Sequence, residues 1–465
     1  MVQNDFDVLV IGTGPGGYVA AIRAAQLGFK VACVEKQTIG GTCLNVGCIP
    51  SKTLLQTTEN YAWIKNTSKS QGISCSDLAI DFKFMMKRKE DVVHSLVDGV
   101  IGALKRNKVE TFQGEAHFTD EHHIEVVNGK DRIQITSKNI IIATGSESIP
   151  LPFLPFDEKK VVSSTGVLNL ESIPKKLVVI GAGVIGVELA SVYARLGSEV
   201  TIVEMLDSIA AGIDSTMSKL LLQSLKKQGM LFYLGAKVTK AAVEGQEIAM
   251  SVEHEQKSLS LLADVVLVAV GRRPFTQRLG LETIGIKTTQ KGHIQVDANL
   301  RTSHPHIYAI GDVIEGPMLA HRATHEGIAC AEVISGRQPI INYISIPNVI
   351  YTHPEVAGVG LSENEAKAAG LDLLIGTSFF RGNPRARCTG DMEGVVKVIG
   401  DKASGRLLGM HIIGPNASEL IIEGMIALDK KATLEDIAHA CHPHPTLSEA
   451  IMEASQQALG WAIHG

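Results

Sequence analysis

Nearly unbroken apolar runs of four to six residues recur along the chain: Val8-Leu-Val-Ile, Val31-Ala-Cys-Val, Ile140-Ile-Ile-Ala, Leu177-Val-Val-Ile, Val200-Thr-Ile-Val, Val265-Val-Leu-Val-Ala-Val and Ile307-Tyr-Ala-Ile. Runs of that length bounded by turn residues read as strands buried on both faces. Between them lie longer segments of helical period, reaching Leu27 after the first run and Leu196 after the fourth. Strand, turn, helix and strand in alternation predict an α/β chain. Residues 61–108 carry mixed helical patterns, and the basic stretch Lys83 to Lys89 reads there as a solvated face. Strands resume near Val109, with Gly114 in a turn.

The turns carry the next signal. The first run enters Gly12-Thr-Gly-Pro-Gly-Gly, so Gly12, Gly14 and Gly17 stand in GxGxxG register between a strand and a helix. The first glycine makes the tight turn, the second lets a pyrophosphate approach the backbone, and the third lets the helix pack on the strand. The following strand ends in Glu35, twenty-three positions after Gly12, where a carboxylate accepts a hydrogen bond from a ribose hydroxyl. The same unit returns with Gly181, Gly183 and Gly186 and a strand ending in Glu204, again twenty-three positions on. Two copies imply two dinucleotides that exchange electrons. Glu204 is followed by Met205, Leu206 and Asp207, with no arginine to receive a ribose phosphate, which points to NAD over NADP at the second site.

These landmarks divide the chain. Residues 1–149 form the first dinucleotide unit, closed by Ile140-Ile-Ile-Ala-Thr-Gly, and the proline-rich Pro150-Leu-Pro-Phe-Leu-Pro marks a boundary. Residues 150–275 form the second, ending at Gly271-Arg-Arg-Pro, and 276–345 return to complete the first, with Gly311-Asp312 at a strand end. Residues 346–465 mix strands with helices, such as 418–428, and carry no glycine fingerprint. The fold class is therefore two Rossmann-like dinucleotide-binding domains followed by an α+β domain.

Composition narrows the function. Lysine and arginine number 44 against 49 acidic residues, a net charge of −5, and 5% aromatic residues supply no stacking surface, so a nucleic-acid partner is not expected. No run approaches the ~18 apolar residues of a membrane span, and the first residues lack the basic and apolar regions of a secretory signal. Seven cysteines, an odd number without framework spacing, suit a reducing compartment. Cys33, Cys75, Cys330, Cys388 and Cys441 read as core or surface thiols, and no cluster has metal-ligand spacing.

Cys43 and Cys48 differ. They lie in Gly40-Gly-Thr-Cys-Leu-Asn-Val-Gly-Cys-Ile-Pro-Ser-Lys52, which otherwise reads as the start of a helix. Five residues of regular helix separate two Cα atoms by about 7.5 Å along the axis, beyond the ~6.8 Å limit of a disulfide. A bond between them requires a distorted turn, for which Gly47 relieves the steric limit. A redox pair and two unrelated buried thiols both fit the spacing. Near the C-terminus, Cys441-His-Pro-His-Pro-Thr-Leu-Ser-Glu places His442, His444 and Glu449 together as a candidate base and acid.

Together, the cysteine stretch, the doubled fingerprint, Tyr351-Thr-His-Pro-Glu and His444-Pro-Thr-Leu-Ser-Glu449 resemble the FAD-dependent pyridine nucleotide disulfide oxidoreductases over nearly the whole chain. The resemblance implies a Cys43–Cys48 redox disulfide, with Cys43 meeting the substrate and Cys48 lying against the flavin. It implies that Lys52 stabilises the Cys48 thiolate and pairs with Glu188, and that His444, oriented by Glu449 across a cis His444–Pro445 bond, is the base. FAD, one per subunit and non-covalent, would be held by Gly12, Gly14, Gly17, Glu35, Lys36, Gly41, Thr42, Lys52, Gly114, Thr144, Gly145, Ser146, Asp312, Met318, Leu319, Ala320 and His321. NAD would be held by Gly181, Gly183, Val184, Ile185, Gly186, Glu188, Glu204, Val238 and Gly271. The last domain would build a homodimer in which the histidine serves the partner subunit's disulfide. The implied substrate is a dihydrolipoyl dithiol on the lipoyl domain of an acyltransferase or glycine-cleavage component, in the cytoplasm or, for a trimmed chain, the mitochondrial matrix. A sister reductase for another small disulfide, and a chain acting chiefly as a docking component, are the competing readings.

Overall fold

The computed structural model describes residues 4–245 and 247–464. The first apolar run is β1 (Asn4–Ile11), and α1 (Pro15–Gln26) starts on a proline whose missing N–H has no partner in a first turn anyway. β2 (Val31–Glu35), α2 (Gly41–Val46), α3 (Cys48–Asn66) and α4 (Phe82–Arg106) follow. Next come β3 (Glu110–Gln113), β4 (Glu115–Phe118), β5 (His123–Asn128), β6 (Asp131–Ile142) and the short β7 (Ser146–Ser148). The second half opens with β8 (Val161–Val162) and α5 (Ser164–Val167). It repeats strand, helix and strand as β9 (Lys176–Ile180), α6 (Val184–Arg195) and β10 (Glu199–Val203), then α7 (Ser215–Lys227) and β11 (Leu231–Tyr233). β12 (Lys237–Glu244), β13 (Glu247–His254) and β14 (Lys257–Ala263) precede β15 (Val265–Val268), β16 (Arg272–Pro274), β17 (Ile307–Ala309) and α8 (Ala320–Ile334). The last part holds β18 (Asn348–Ile350), β19 (Glu355–Gly360), α9 (Glu363–Ala368), β20 (Leu373–Phe379) and α10 (Pro384–Thr389). β21 (Val395–Asp401), β22 (Leu407–Gly414), α11 (Ala417–Asp429), α12 (Leu434–His439) and α13 (Glu449–Ala458) complete it.

Two compact units result. The first comprises Met1–Leu54, Asp81–Ile149 and Gly271–Ile341. Its sheet runs β3-β2-β1-β6-β5-β4, with β17 beside β6. β3, β2, β1, the end of β6 and β17 are mutually parallel, while β5 and β4 turn antiparallel on the exposed half of the long β6. The buried runs Val8 to Ile11, Val31 to Val34 and Ile140 to Ile142 form one apolar cluster with Ala20, Ala21 and Ala24 of α1. The basic stretch of α4 departs from expectation, because Lys89 is 3% exposed. It lies four residues from both Met85 and Val93, so helical spacing puts its stem in the buried stripe while Lys83 and Lys87 stay outside.

The second unit comprises Leu55–Ile80, Pro150–Val270 and Asn342–Gly465. It contains the all-parallel sheet β11-β10-β9-β15-β8, the antiparallel β12-β13-β14, and the antiparallel β18-β19-β22-β21-β20 under α11 and α13. The expected α/β class with a doubled parallel unit and an α+β C-terminal part is what forms.

One buried ion cluster joins α7 to the last sheet. Lys397 Nζ lies 2.9 Å from Asp214 Oδ2 and 2.7 Å from Glu363 Oε2, with Lys397 and Asp214 fully buried. Burial works against the Asp214 charge, but Lys397 prevails and holds its pKa below the usual value. That stability is complete above the unfolded-state value near ~3.9 and is lost as pH falls through the depressed folded value. Removing one partner strands a buried charge, so Lys397→Met is expected to lower stability by about 3–5 kcal/mol, read from its denaturation curve.

Candidate active site

The cysteine stretch does not run through one helix. α2 ends at Val46, Gly47 breaks the helix at φ −141° and ψ −111°, and α3 begins at Cys48. A Cβ on Gly47 would come within 2.9 Å of the Thr42 carbonyl, so the break needs glycine. Asn45 braces it by donating Nδ2 to the carbonyls of Gly41 (2.9 Å) and Ile39 (3.1 Å). This is the distorted turn that a Cys43–Cys48 bond requires.

Both cysteines are thiols here, in hydrogen-bonding contact. The Cys43 pKa is pushed up, first by its hydrogen bond to Cys48, then by burial and by the charge of Cys48, with Lys52 opposing. Cys43 therefore resists ionisation, while Cys48 stands at the first residue of a helix whose dipole favours a thiolate. Lys52 stands one turn along the same face. Leu44 seats the turn against Val93 and Val97 of α4.

The first glycine turn leads directly to this stretch. A Cβ on Gly12 would meet the Ala143 carbonyl at 2.4 Å, and one on Gly17 the Gly12 carbonyl at 1.9 Å. At Gly14, the N-cap of α1, a Cβ would meet nothing within 4 Å, so the space a side chain would fill faces amides that no side chain caps. Gly41 packs its Cα side against Gly14. Glu35 accepts from Thr13 N (2.9 Å), Thr13 Oγ1 (2.6 Å) and Gln37 N (2.8 Å), which fixes the carboxylate at the end of β2. Gly114 N donates to the Glu35 carbonyl at 2.8 Å. Lys36 pairs with Glu115 at 3.1 Å and lies over the Phe275 ring. Thr144 Oγ1 donates to the Phe275 carbonyl at 2.6 Å, and Gly145 takes a positive φ of 73°. Asp312 accepts from Ser146 Oγ at 2.5 Å. The Met318–His321 segment opens α8, shaped by buried Arg322, which donates to the carbonyls of Pro317 (3.0 Å) and Glu315 (2.6 Å) and to Glu326.

Sequence reasoning missed Arg272 in this unit. Its Nε donates to Ser146 Oγ (2.8 Å) and its Nη2 to the Ser146 carbonyl (2.6 Å), and its guanidinium feels the charges of Asp312, Cys48 and Glu147. The available signal was the paired Arg272-Arg273 where a buried strand ends. Gly271 falls in this same unit.

The second unit repeats the glycine cradle and its carboxylate clamp. A Cβ on Gly181 would meet the Ala269 carbonyl at 2.4 Å, one on Gly186 the Gly181 carbonyl at 2.1 Å, and one on Gly183 nothing within 4 Å. Glu204 accepts from Ala182 N (2.6 Å) and Leu206 N (2.8 Å), as Glu35 does in the first copy. Val184 and Ile185 open α6, and Val238 is buried in β12. Glu188 is 2% exposed and accepts the Tyr351 amide at 2.8 Å. The open second glycines predict a clean separation. Gly14→Asp is expected to fold, by circular dichroism, yet purify without flavin. Gly183→Asp is expected to stay yellow while its KM for NAD rises about 100-fold, the loss of ~2.7 kcal/mol of binding.

In the same unit, His444 Nδ1 lies 2.9 Å from Glu449 Oε1, and Thr446 N donates to Glu449 Oε2 at 2.7 Å. A carboxylate partner puts the proton on Nδ1 and turns Nε2 outward from a side chain that is 67% exposed. Burial opposes the Glu449 charge, but the Thr446 amide and His444 hold its pKa below the usual value. His442 is engaged at both nitrogens, with Glu423 and the Ala440 carbonyl, which leaves His444 as the available base. The His444–Pro445 bond is cis, as expected. Cys43, Cys48, Lys52 and the first cradle thus gather in the first unit, and Glu188, the second cradle and His444 in the second.

Comparison with known proteins agrees with this arrangement. Residues 6–327 match the pyridine nucleotide-disulphide oxidoreductase family, and residues 346–455 its dimerisation domain. The chain is 49% identical to the dihydrolipoamide dehydrogenase of Chaetomium thermophilum, over 99% of this chain and 93% of that one. It is 48% identical to the mitochondrial dihydrolipoyl dehydrogenase of Sus scrofa, over 99% and 92% respectively. Among solved structures, the HOCl-induced flavoprotein disulfide reductase RclA of Escherichia coli superposes with a TM-score of 0.88 at 28% identity, covering 98% of this chain and all of that one. With its two dinucleotide cradles, its cysteine pair at a broken helix and its C-terminal dimerisation domain, the chain belongs to the pyridine nucleotide-disulphide oxidoreductase family.

Proposed function

We propose that the protein oxidises the dihydrolipoyl dithiol of a lipoyl domain and reduces NAD+, through a Cys43–Cys48 disulfide and FAD. The observation that carries this reading is the Cys43–Cys48 turn, which brings the two sulfurs into hydrogen-bonding contact and sets Cys48 at a helix start beside Lys52. Near-full-length identity to dihydrolipoyl dehydrogenases supports the substrate. FAD and NAD are the family's cofactors, held by the two cradles in chain order.

The chemistry begins with the oxidised pair. His444 Nε2 takes a proton from one substrate thiol, and Glu449 stabilises the imidazolium that results. The substrate thiolate attacks Cys43 Sγ, the Cys43–Cys48 bond breaks, and Cys48 leaves as the thiolate. The second substrate thiol then closes on the first, expelling Cys43, which takes a proton, and the lipoyl disulfide departs. Lys52, one turn along the same helical face, holds the negative charge at Cys48 in place. Bound FAD supplies the two-electron carrier from the reduced cysteine pair to NAD+, so the disulfide re-forms and NADH and one proton are released. Glu204 repels a 2′-phosphate and selects NAD.

The dimerisation domain supports a homodimer, and we assign His444 of one subunit to the disulfide of the other. Lipoyl domains of a 2-oxo acid dehydrogenase or glycine-cleavage complex are the fitting partners. Several relatives carry mitochondrial names, so a matrix location fits alongside the cytoplasm, and no helix among the described residues is long and apolar enough to cross a membrane. A steady-state assay tests the reading. Dihydrolipoamide with NAD+ is expected to turn over, with NADP+ at least ~100-fold less efficient, a ~2.7 kcal/mol difference. Turnover with glutathione disulfide and NADPH, and none with dihydrolipoamide, would replace it.

A further inference from the structure

The turn Tyr351-Thr-His-Pro-Glu355, between β18 and β19, takes no part in the reaction described, yet it engages two of its helices. Its first amide donates to Glu188 on α6 at 2.8 Å. Its imidazole lies between two carboxylates: His353 Nδ1 is 3.2 Å from Glu59 Oε1 on α3, and Nε2 is 3.9 Å from Asp391 Oδ2. Arg195, seven residues after Glu188 on α6, donates Nη1 to the Leu55 carbonyl of α3 at 3.2 Å and faces Glu59. The turn itself is pinned. Gln228 Nε2 donates to the His353 carbonyl at 2.7 Å, Thr352 Oγ1 to the Pro354 carbonyl at 2.8 Å, and Glu355 accepts the Ser418 amide at 2.9 Å.

Glu59 follows Cys48 by eleven residues and Lys52 by seven on the unbroken α3. At about 100° per residue all three share one face, in register over three turns. A clamp on Glu59 therefore fixes the rotation and axial position of the helix that presents the redox sulfur. We propose that His353 is a positioning residue of the redox centre: its ion pair with Glu59 holds α3, and so Cys48 and Lys52, while the backbone of its own turn holds Glu188. The proposal rests on the function assigned above to the cysteine pair.

The charge balance makes the clamp pH-dependent. Glu59 from α3 and Asp391 face His353 as carboxylates, with Arg195 from α6 opposing; Glu355 faces Glu59, and Glu393 faces Asp391. Burial alone would lower the His353 pKa, but the carboxylates raise it. The ion pair is thus intact below the unfolded-state value near ~6.5 and is released as pH rises through the higher folded value.

The test uses the flavin-loaded His353→Gln and Glu59→Gln proteins. Each is reduced anaerobically with one equivalent of dihydrolipoamide and, in parallel, with NADH, and the long-wavelength thiolate–flavin absorption is followed from pH 6 to 9. Each variant is expected to shift the pH midpoint of that absorption and to lower kcat about tenfold, with KM for NAD unchanged. The double variant is expected to be no worse than either single one. Wild-type kcat and pH midpoint in Glu59→Gln would overturn the proposal, even with a lowered melting temperature. Should His353→Gln not fold, Glu59→Gln, which is half-buried, decides alone. The NADH arm reads the thiolate without the dithiol, so failure of the substrate assignment would be told apart from failure of the clamp.

Discussion

Cys48→Ser is expected to abolish NAD+ reduction by dihydrolipoamide, at least ~10³-fold, while the protein remains a yellow, folded dimer. No disulfide can form without Cys48, so the substrate thiolate has nothing to open. Cys43→Ser is expected to lose the same turnover but to differ in colour. It keeps Cys48 at the start of α3 beside Lys52, and the serine in place of Cys43 can still donate to it. Long-wavelength thiolate absorption should therefore be present without any reductant in Cys43→Ser and absent in Cys48→Ser. The contrast between them assigns the two sulfurs, because only Cys48 stands at a helix start beside Lys52. Transfer from NADH to an artificial acceptor bypasses the cysteines, and both variants are expected to retain it. Identical spectra in the two variants would remove the distinction drawn between the sulfurs.

The second large effect belongs to His444. His444→Gln is expected to cost about 10²–10⁴ in the dithiol reaction, the range of a lost general base, with NADH-to-acceptor transfer unchanged. Glu449→Gln tests the support rather than the base. Glu449 accepts from both His444 Nδ1 and the Thr446 amide, and an amide in its place can present an N–H to the ring instead, which frees the wrong tautomer. A loss of about tenfold is expected for it, ~1.4 kcal/mol of barrier. Mixing the inactive Cys48→Ser and His444→Gln proteins under conditions that exchange subunits is expected to restore part of the activity. One site of such a mixed dimer has an intact disulfide facing an intact histidine, and no recovery would place both groups in one subunit.

Much of the fold is written locally. The buried runs that become β1, β2, β9 and β10 are short, nearly unbroken in apolar character and end at glycine or glutamate, so strand, turn and cradle are set within about thirty residues. The helix over 418–428 appears at Ala417–Asp429 because its apolar period is regular. The break at Gly47 could be argued because a disulfide and a regular helix are geometrically incompatible. Lys89 lies in a buried stripe that Met85 and Val93 mark at local helical spacing, and its charge hid that. What depends on distant partners could not be seen. Arg272 meets Ser146 from 126 positions away, and His353 meets Glu59 across almost three hundred, through pairings that no local pattern encodes. His442 and His444 lie two residues apart, and Glu423, brought in by α11, together with the Ala440 carbonyl, occupies the His442 imidazole and leaves His444 available.

The most direct test of the whole account is an anaerobic titration of the purified protein, followed in the visible spectrum. One equivalent of dihydrolipoamide per subunit is expected to produce the long-wavelength thiolate–flavin absorption. Addition of NAD+ should then clear it and yield one NADH per subunit, with NADP+ giving none. A flavin spectrum untouched by dihydrolipoamide but reduced by NADH would keep the fold and both cradles and contradict the dithiol as substrate.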